Sequence, residues 1–93
     1  MTIEAFRPRE GIGTALLEAV IEQARRRGCG RLLLVTTNDN LAAQRFYERR
    51  GLRLVAVHAG AVDQARKLKP EIPPRSEDGV AISDELEYQL ALA

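Results

Sequence analysis

"REGIGTALLEAV", Arg9 to Val20, sets two glycines one residue apart where an apolar helical pattern begins. Glycine is among the poorest helix formers, so its use twice at a helix start asks for a reason. Two readings stand at this point. Gly11 and Gly13 serve helix-start packing, or they let another group come close to the backbone where a Cβ would block it. The first-turn amides of a helix lack intrahelical partners and carry partial positive charge, so the second reading is an anion cradle.

Working outward, Ile12, Leu16, Val20 and Ala24 recur at helical spacing, with Leu17 and Ile21 widening the stripe. The pattern predicts a helix from Gly11 to Arg27, with Glu10 and Glu18 toward its start and Arg25, Arg26 and Arg27 at its end. Gly28 is its stop. Before it, "TIEAF" over residues 2–6 reads as a short strand bounded by Pro8. After it, "RLLLVTT" from Arg31 to Thr37 reads as a strand buried on both faces, as in parallel sheets. "NDN" breaks that strand, and Asn38, Asp39 or Asn40 caps a helix running to about Arg50 and closed by Gly51. "LRLVAVH", Leu52 to His58, is a third long strand, and Gly60 to Lys69 a short helix stopped by Pro70. "PEIPPRSEDG" is a loop. Leu86, Tyr88, Leu90 and Leu92 then alternate with polar residues, which predicts an antiparallel strand at or near an edge with one wet face. The strands flanking the first helix are expected to be parallel.

The chain is 93 residues, 45% apolar and 29% charged, with a net charge of +1. That is one soluble globular domain spanning residues 1–93, and the balance argues against nucleic acid as a partner. Cys29 is the one cysteine, so there is no internal disulfide and no Cys-rich metal site. A lone thiol, no apolar signal-peptide core and no membrane-length run imply a cytoplasmic protein with no membrane partner. Cys29 itself reads as a small buried residue, and His58 as structural or exposed.

The dinucleotide-binding fingerprint requires Gly or Ala three residues after Gly13, where Leu16 stands, and the triphosphatase loop requires Lys-Ser/Thr where Thr14 and Ala15 stand. Both readings fail. "GIGTALLEAVIEQARRRG" followed by "LLLVTTNDNLAAQRFYERRGL", however, strongly resembles the GNAT family of N-acetyltransferases. The matching positions include Asn40, Ala43, Phe46, Tyr47, Gly51 and Leu52. "HAGAVDQARKLKPEIP" with "ISDELEYQL" is similar to the tail of bacterial members carrying an insert before the last strand. The resemblance covers nearly the whole chain.

It implies an α/β fold: a partial GNAT (acyl-CoA N-acyltransferase) fold with a mixed sheet of about four strands, two main helices and one short helix. It implies acetyl-CoA as co-substrate without a metal. It also implies acetyl transfer to an amine by direct attack, or a non-catalytic CoA-binding or dimerisation module. Gly11, Ile12, Gly13 and Thr14, with Ala15 next, would present amides to the diphosphate, and the strands flanking this bend would splay to admit the pantetheine arm. Pro8 stands where the family carries Arg or Gln, and Arg7 and Arg9 flank it as substitutes. Asn40 resembles the residue that contacts the CoA arm, beside its plain reading as a helix cap. Tyr47 resembles the general acid that protonates the leaving thiolate, a role a phenol protonated at neutral pH can fill; its plain reading is a core aromatic beside Phe46. Glu4 falls on the strand where some members hold a general base, and its plain reading is a surface glutamate. Arg45, Arg49 and Arg50 read as a wet helix face. The chain starts near the family's fourth strand, so "TIEAF" is expected to be a sheet edge and the protein a homodimer.

Overall fold

The computed structural model describes residues 3–6 and 14–92, and of residues 3–6 and 14 only the backbone. Seven elements follow one another: β1 (Ile3–Phe6), α1 (Thr14–Arg26), β2 (Arg31–Thr37), α2 (Leu41–Arg49), β3 (Arg53–His58), α3 (Ala61–Leu68) and β4 (Glu85–Ala91). They make a four-stranded sheet in the order β1-β2-β4-β3. β1 and β2 run parallel, joined through α1, and β4 runs antiparallel to both β2 and β3. The mixed sheet, two main helices and one short helix match the expected fold. β1 is an edge, and β4 lies one place in from the other edge.

The core lies on one face of the sheet. Leu32 and Leu34 of β2 and Leu86 and Tyr88 of β4 cluster with Leu17 and Ile21 of α1 and with Ala43 and Tyr47 of α2. Register explains the selection: Leu34 sits opposite Tyr88 and Leu32 opposite Leu90, and side chains two apart share a face. The alternation predicted for β4 is observed, with Leu86 and Tyr88 buried. β2 is apolar on both faces as expected, with Leu32, Leu34 and Val35 buried and Leu33 half-buried. The α1 stripe is rotated from its expected centre. Leu17, Ile21 and Ala24 are buried, whereas Leu16 is 52% exposed and Val20 half-buried. The i, i+4, i+7 set that faces the sheet therefore joins Ala24 of the expected stripe to Leu17 and Ile21 at its margin.

Both main helices stop the same way. Gly28, at φ +75°, donates its amide to the Arg25 carbonyl at 3.0 Å, while the Cys29 amide reaches Ala24 O at 3.0 Å. Gly51, at φ +87°, donates to Glu48 O at 3.1 Å, and the Leu52 amide reaches Tyr47 O at 3.0 Å. These are paired 6→1 and 5→2 closures with glycine in the left-handed position, where a Cβ would be strained. The second turns the chain so that Leu52, 3% exposed, enters the core beside Tyr47.

Residues 60–84 form an excursion between β3 and β4. Gly60 donates its amide to Asp84 Oδ1 at 2.9 Å, and Val62 N donates to Ser83 O at 2.9 Å. The Arg66 guanidinium donates to the carbonyls of Ile72 (3.0 Å), Pro73 (2.9 Å) and Ile82 (2.7 Å), and pairs with Asp63 at 2.8 Å. Much of this loop's backbone is thus satisfied by one side chain, which gives an irregular segment a defined shape.

Candidate functional site

The site expected from sequence has two parts, the bend before α1 and the β2–α2 junction. Arg9, Gly11, Ile12 and Gly13 lie outside the described residues. Thr14 opens α1, and Ala15, exposed, follows it. Glu4 lies on β1, in register with Leu32. β1 and β2 are paired in regular register from Ile3↔Arg31 to Phe6↔Leu34. The expected splay does not occur within those rows, because the parallel ladder is continuous there. β2 runs on through Val35, Thr36 and Thr37, beyond its last partner in β1.

The β2–α2 junction is built by the side chains of Thr37, Asn38, Asp39, Asn40 and Gln44. Asn40 accepts the Ala43 amide on Oδ1 at 3.1 Å, so it is the N-cap of α2, while its Nδ2 donates to none of the described residues. Thr37 Oγ1 donates to Asp39 Oδ1 at 2.5 Å. Gln44 Nε2 donates to the Asn38 carbonyl at 3.1 Å. Of the three cap candidates, Asn40 takes the role and Asn38 a different one. Asn38 Oδ1 accepts the amides of Ser83 and Asp84, each at 3.0 Å, and its Nδ2 donates to Ala81 O at 2.8 Å. No sequence signal could have joined residues so far apart along the chain.

Tyr47 lies on α2 and is 0% exposed. Its ring meets Tyr88 edge-on at 5.5 Å and Phe46 at 6.0 Å. Its hydroxyl is buried and has no hydrogen-bond partner among the described residues. Burial pushes the Tyr47 phenol above its ordinary value, so it holds its proton at neutral pH. The Tyr88 phenol is raised as well, first by burial and then by the charge of Glu48 and its hydrogen bond to it, in which Tyr88 donates to Glu48 Oε1 at 3.5 Å. An orphaned phenol costs about 1–3 kcal/mol. A buried polar group of this kind calls for a partner beyond the described residues, and a thiol or thiolate is one a phenol can serve.

The other sequence candidates are distributed. His58 is exposed and 2.6 Å from Glu87 Oε1. Cys29 is half-buried rather than buried, since it stands at the turn that ends α1. Arg45 and Arg49 are exposed as expected, but Arg50 is half-buried and pairs with Glu18, tying α1 to the end of α2. Among the described residues no three His, Cys, Asp or Glu side chains converge as a metal site, and no helix is long and apolar enough to cross a membrane.

The model of the acetyltransferase (GNAT) family matches residues 4–52, from β1 through the end of α2. The chain belongs to this GNAT family. The Bacillus subtilis protein YdhI, itself uncharacterized, is 46% identical over 86 residues, which are 92% of this chain and 54% of that one. The chain therefore spans about half the length of the curated relatives it matches. Two solved GNAT folds superpose closely. An Elizabethkingia anophelis GNAT family acetyltransferase with acetyl-CoA bound gives a TM-score of 0.75 at 20% identity, over 96% of this chain and 61% of that one. A Bacillus subtilis acetyltransferase in complex with CoA gives 0.71 at 22% identity, over 91% and 53%. At these identities the likeness is one of fold. The GNAT match spans the glycine bend, Asn40 and Tyr47, the same positions the sequence singled out.

Proposed function

We propose that the chain binds acetyl-CoA at the bend before α1 and transfers its acetyl group to an amine by direct attack. The observation that supports the reading is the Tyr47 hydroxyl, buried, protonated and without a partner among the described residues, on the residue that resembles the family's general acid. Arg9 and the amides of Gly11, Ile12, Gly13, Thr14 and Ala15 hold the diphosphate. Asn40 caps α2 with its oxygen, and its Nδ2, without a partner among the described residues, is offered to the CoA arm. Tyr47 donates its proton to the leaving sulfur, and Glu4 receives the proton the amine gives up. No metal enters this scheme. The elements position the reactants, which is where most of the rate gain of such a reaction arises. The lone thiol of Cys29 fits a reducing, cytoplasmic setting.

One observation favours binding without turnover as the second reading. Tyr47 is wholly enclosed, and an acid must touch the atom it protonates. Thiol release from acetyl-CoA with a panel of amines separates the two. Turnover that falls about 100-fold in Tyr47→Phe supports the enzyme. Calorimetric binding with no turnover supports the module, and absence of binding defeats both.

We also propose a homodimer. The sheet's two edges are β1 and β3, and β3 exposes Leu54, Val55 and Val57 at 48%, 50% and 54%. Unpaired edges with apolar side chains favour association. Light scattering behind size exclusion gives twice the chain mass if this is right, and the single-chain mass if it is not.

A further inference from the structure

Asn38 joins the β2–α2 junction to the distant 81–84 segment through both halves of its side-chain amide. Its oxygen takes the Ser83 and Asp84 amides at 3.0 Å each, its nitrogen gives to Ala81 O at 2.8 Å, and its own backbone amide gives to Asp84 O at 3.1 Å. The carboxamide supplies an acceptor oxygen for two amides and a separate donor nitrogen for the third contact. The same residue's carbonyl accepts Gln44 Nε2 at 3.1 Å, from the first turns of α2. Two residues on, the Asn40 amide donates to Thr37 O at 3.1 Å and its side chain caps the helix at 3.1 Å. The turn that aims Asn40 is therefore gripped from β4's lead-in on one side and from α2 on the other.

We infer that Asn38 is a positioning residue: by clamping residues 81–84 to the end of β2, it fixes the 38–40 turn so that Asn40 presents its Nδ2 to the CoA arm. The inference rests on the proposed CoA-binding reading. It concerns a residue that touches no ligand and that acts through a neighbour. The excursion has its own bracing through Arg66 and through Asp84 to Gly60, so loss of the Asn38 amide releases the junction rather than dismantling the loop.

The test is a double-mutant cycle on CoA affinity, measured by calorimetry with CoA itself on the full chain. Asn38→Ala is expected to raise Kd about 10-fold, within the coupling seen for residues sharing one hydrogen-bond network. In an Asn40→Asp background, which keeps the cap oxygen and removes the donor, Asn38→Ala is expected to change Kd less than about 2-fold. Asn38→Asp retains the two acceptor contacts and gives an intermediate loss; it serves the same cycle if the alanine variant does not fold. Arg75→Met, which removes the side-chain contact of Arg75 with Gly79 O at the far end of the loop and breaks no side-chain bond to residues 81–84, leaves Kd near the wild-type value. If Asn38 substitutions weaken CoA equally with and without the Asn40 donor, or lower thermal stability with Kd unmoved, the positioning role is refuted while CoA binding stands. If the wild-type chain itself binds no CoA, the functional reading falls, and this inference with it.

Discussion

Tyr47→Phe removes one oxygen from the best-buried aromatic among the described residues. The ring is 0% exposed, and its hydroxyl has no partner among the described residues. In most buried tyrosines this change breaks a hydrogen bond and destabilises. Here it deletes an unsatisfied polar group whose burial costs about 1–3 kcal/mol, and the apolar contact with Tyr88, centroid to centroid at 5.5 Å, is kept. Taking the low end, the ligand-free variant is more stable by about 1 kcal/mol, a rise in Tm of about 4–8 °C for a domain of this size. Acetyl transfer, in contrast, loses the acid and falls about 100-fold. Greater stability with less activity is the signature of a group kept for function at a cost to the fold. Urea unfolding of both forms without CoA, followed by turnover assays on the same preparations, reads both quantities. A Tyr47→Phe protein that is less stable by about 1 kcal/mol would show that the hydroxyl is satisfied, and the case for its role as an unfilled donor would collapse.

Three more outcomes follow from the described geometry. Both phenols are raised by burial, so folding favours their protonated forms; that contribution is complete below about pH 10 and is lost as pH climbs through the folded-state values. An absorbance titration should find both tyrosines ionising later than in urea, with stability declining as they do, and coincident curves would contradict it. Asn40→Ala removes the α2 cap and should cost about 1 kcal/mol, whereas Asn40→Asp keeps the cap acceptor and should cost far less while still weakening CoA; equal stability losses would show that the oxygen is not the capping atom. Gly51→Ala forces a Cβ into a left-handed φ of +87° with open space around it, so backbone strain alone should lower stability by about 1–2 kcal/mol in denaturant, and a neutral result would mean the helix ends differently.

The legible parts of this fold are those where a local rule and the tertiary structure agree. Gly28 and Gly51 mark helix ends because the closure geometry demands a residue free at positive φ, and that demand is visible in the chain. The alternation from Leu86 to Leu90 reports a half-wet strand because β4 packs Leu86 and Tyr88 inward. The α1 face was harder to place. Leu16, Leu17, Val20 and Ile21 form a band wider than the contact, and only the sheet decides that Leu17 and Ile21 face it while Leu16 is left 52% exposed. Tyr47 is legible as a motif residue, but its lack of a hydrogen-bond partner among the described residues depends on what packs around it, including Tyr88 from the far end of the chain. Asn38 was read as an alternative cap because its short-range pattern fits one; its true partners lie at 81–84. Arg50 was read as wet because arginine at a helix end usually is, yet Glu18 on another helix draws it in.

The central claim is that backbone amides at the Gly11–Ala15 bend grip the diphosphate of acetyl-CoA. A titration of the isotope-labelled chain with CoA, followed by amide NMR, addresses those atoms directly. The account predicts that the largest shifts fall on the amides of Gly11, Ile12, Gly13, Thr14 and Ala15, joined by the Asn40 side-chain amide, and that they saturate together. Shifts concentrated elsewhere, or none at millimolar CoA, would contradict it.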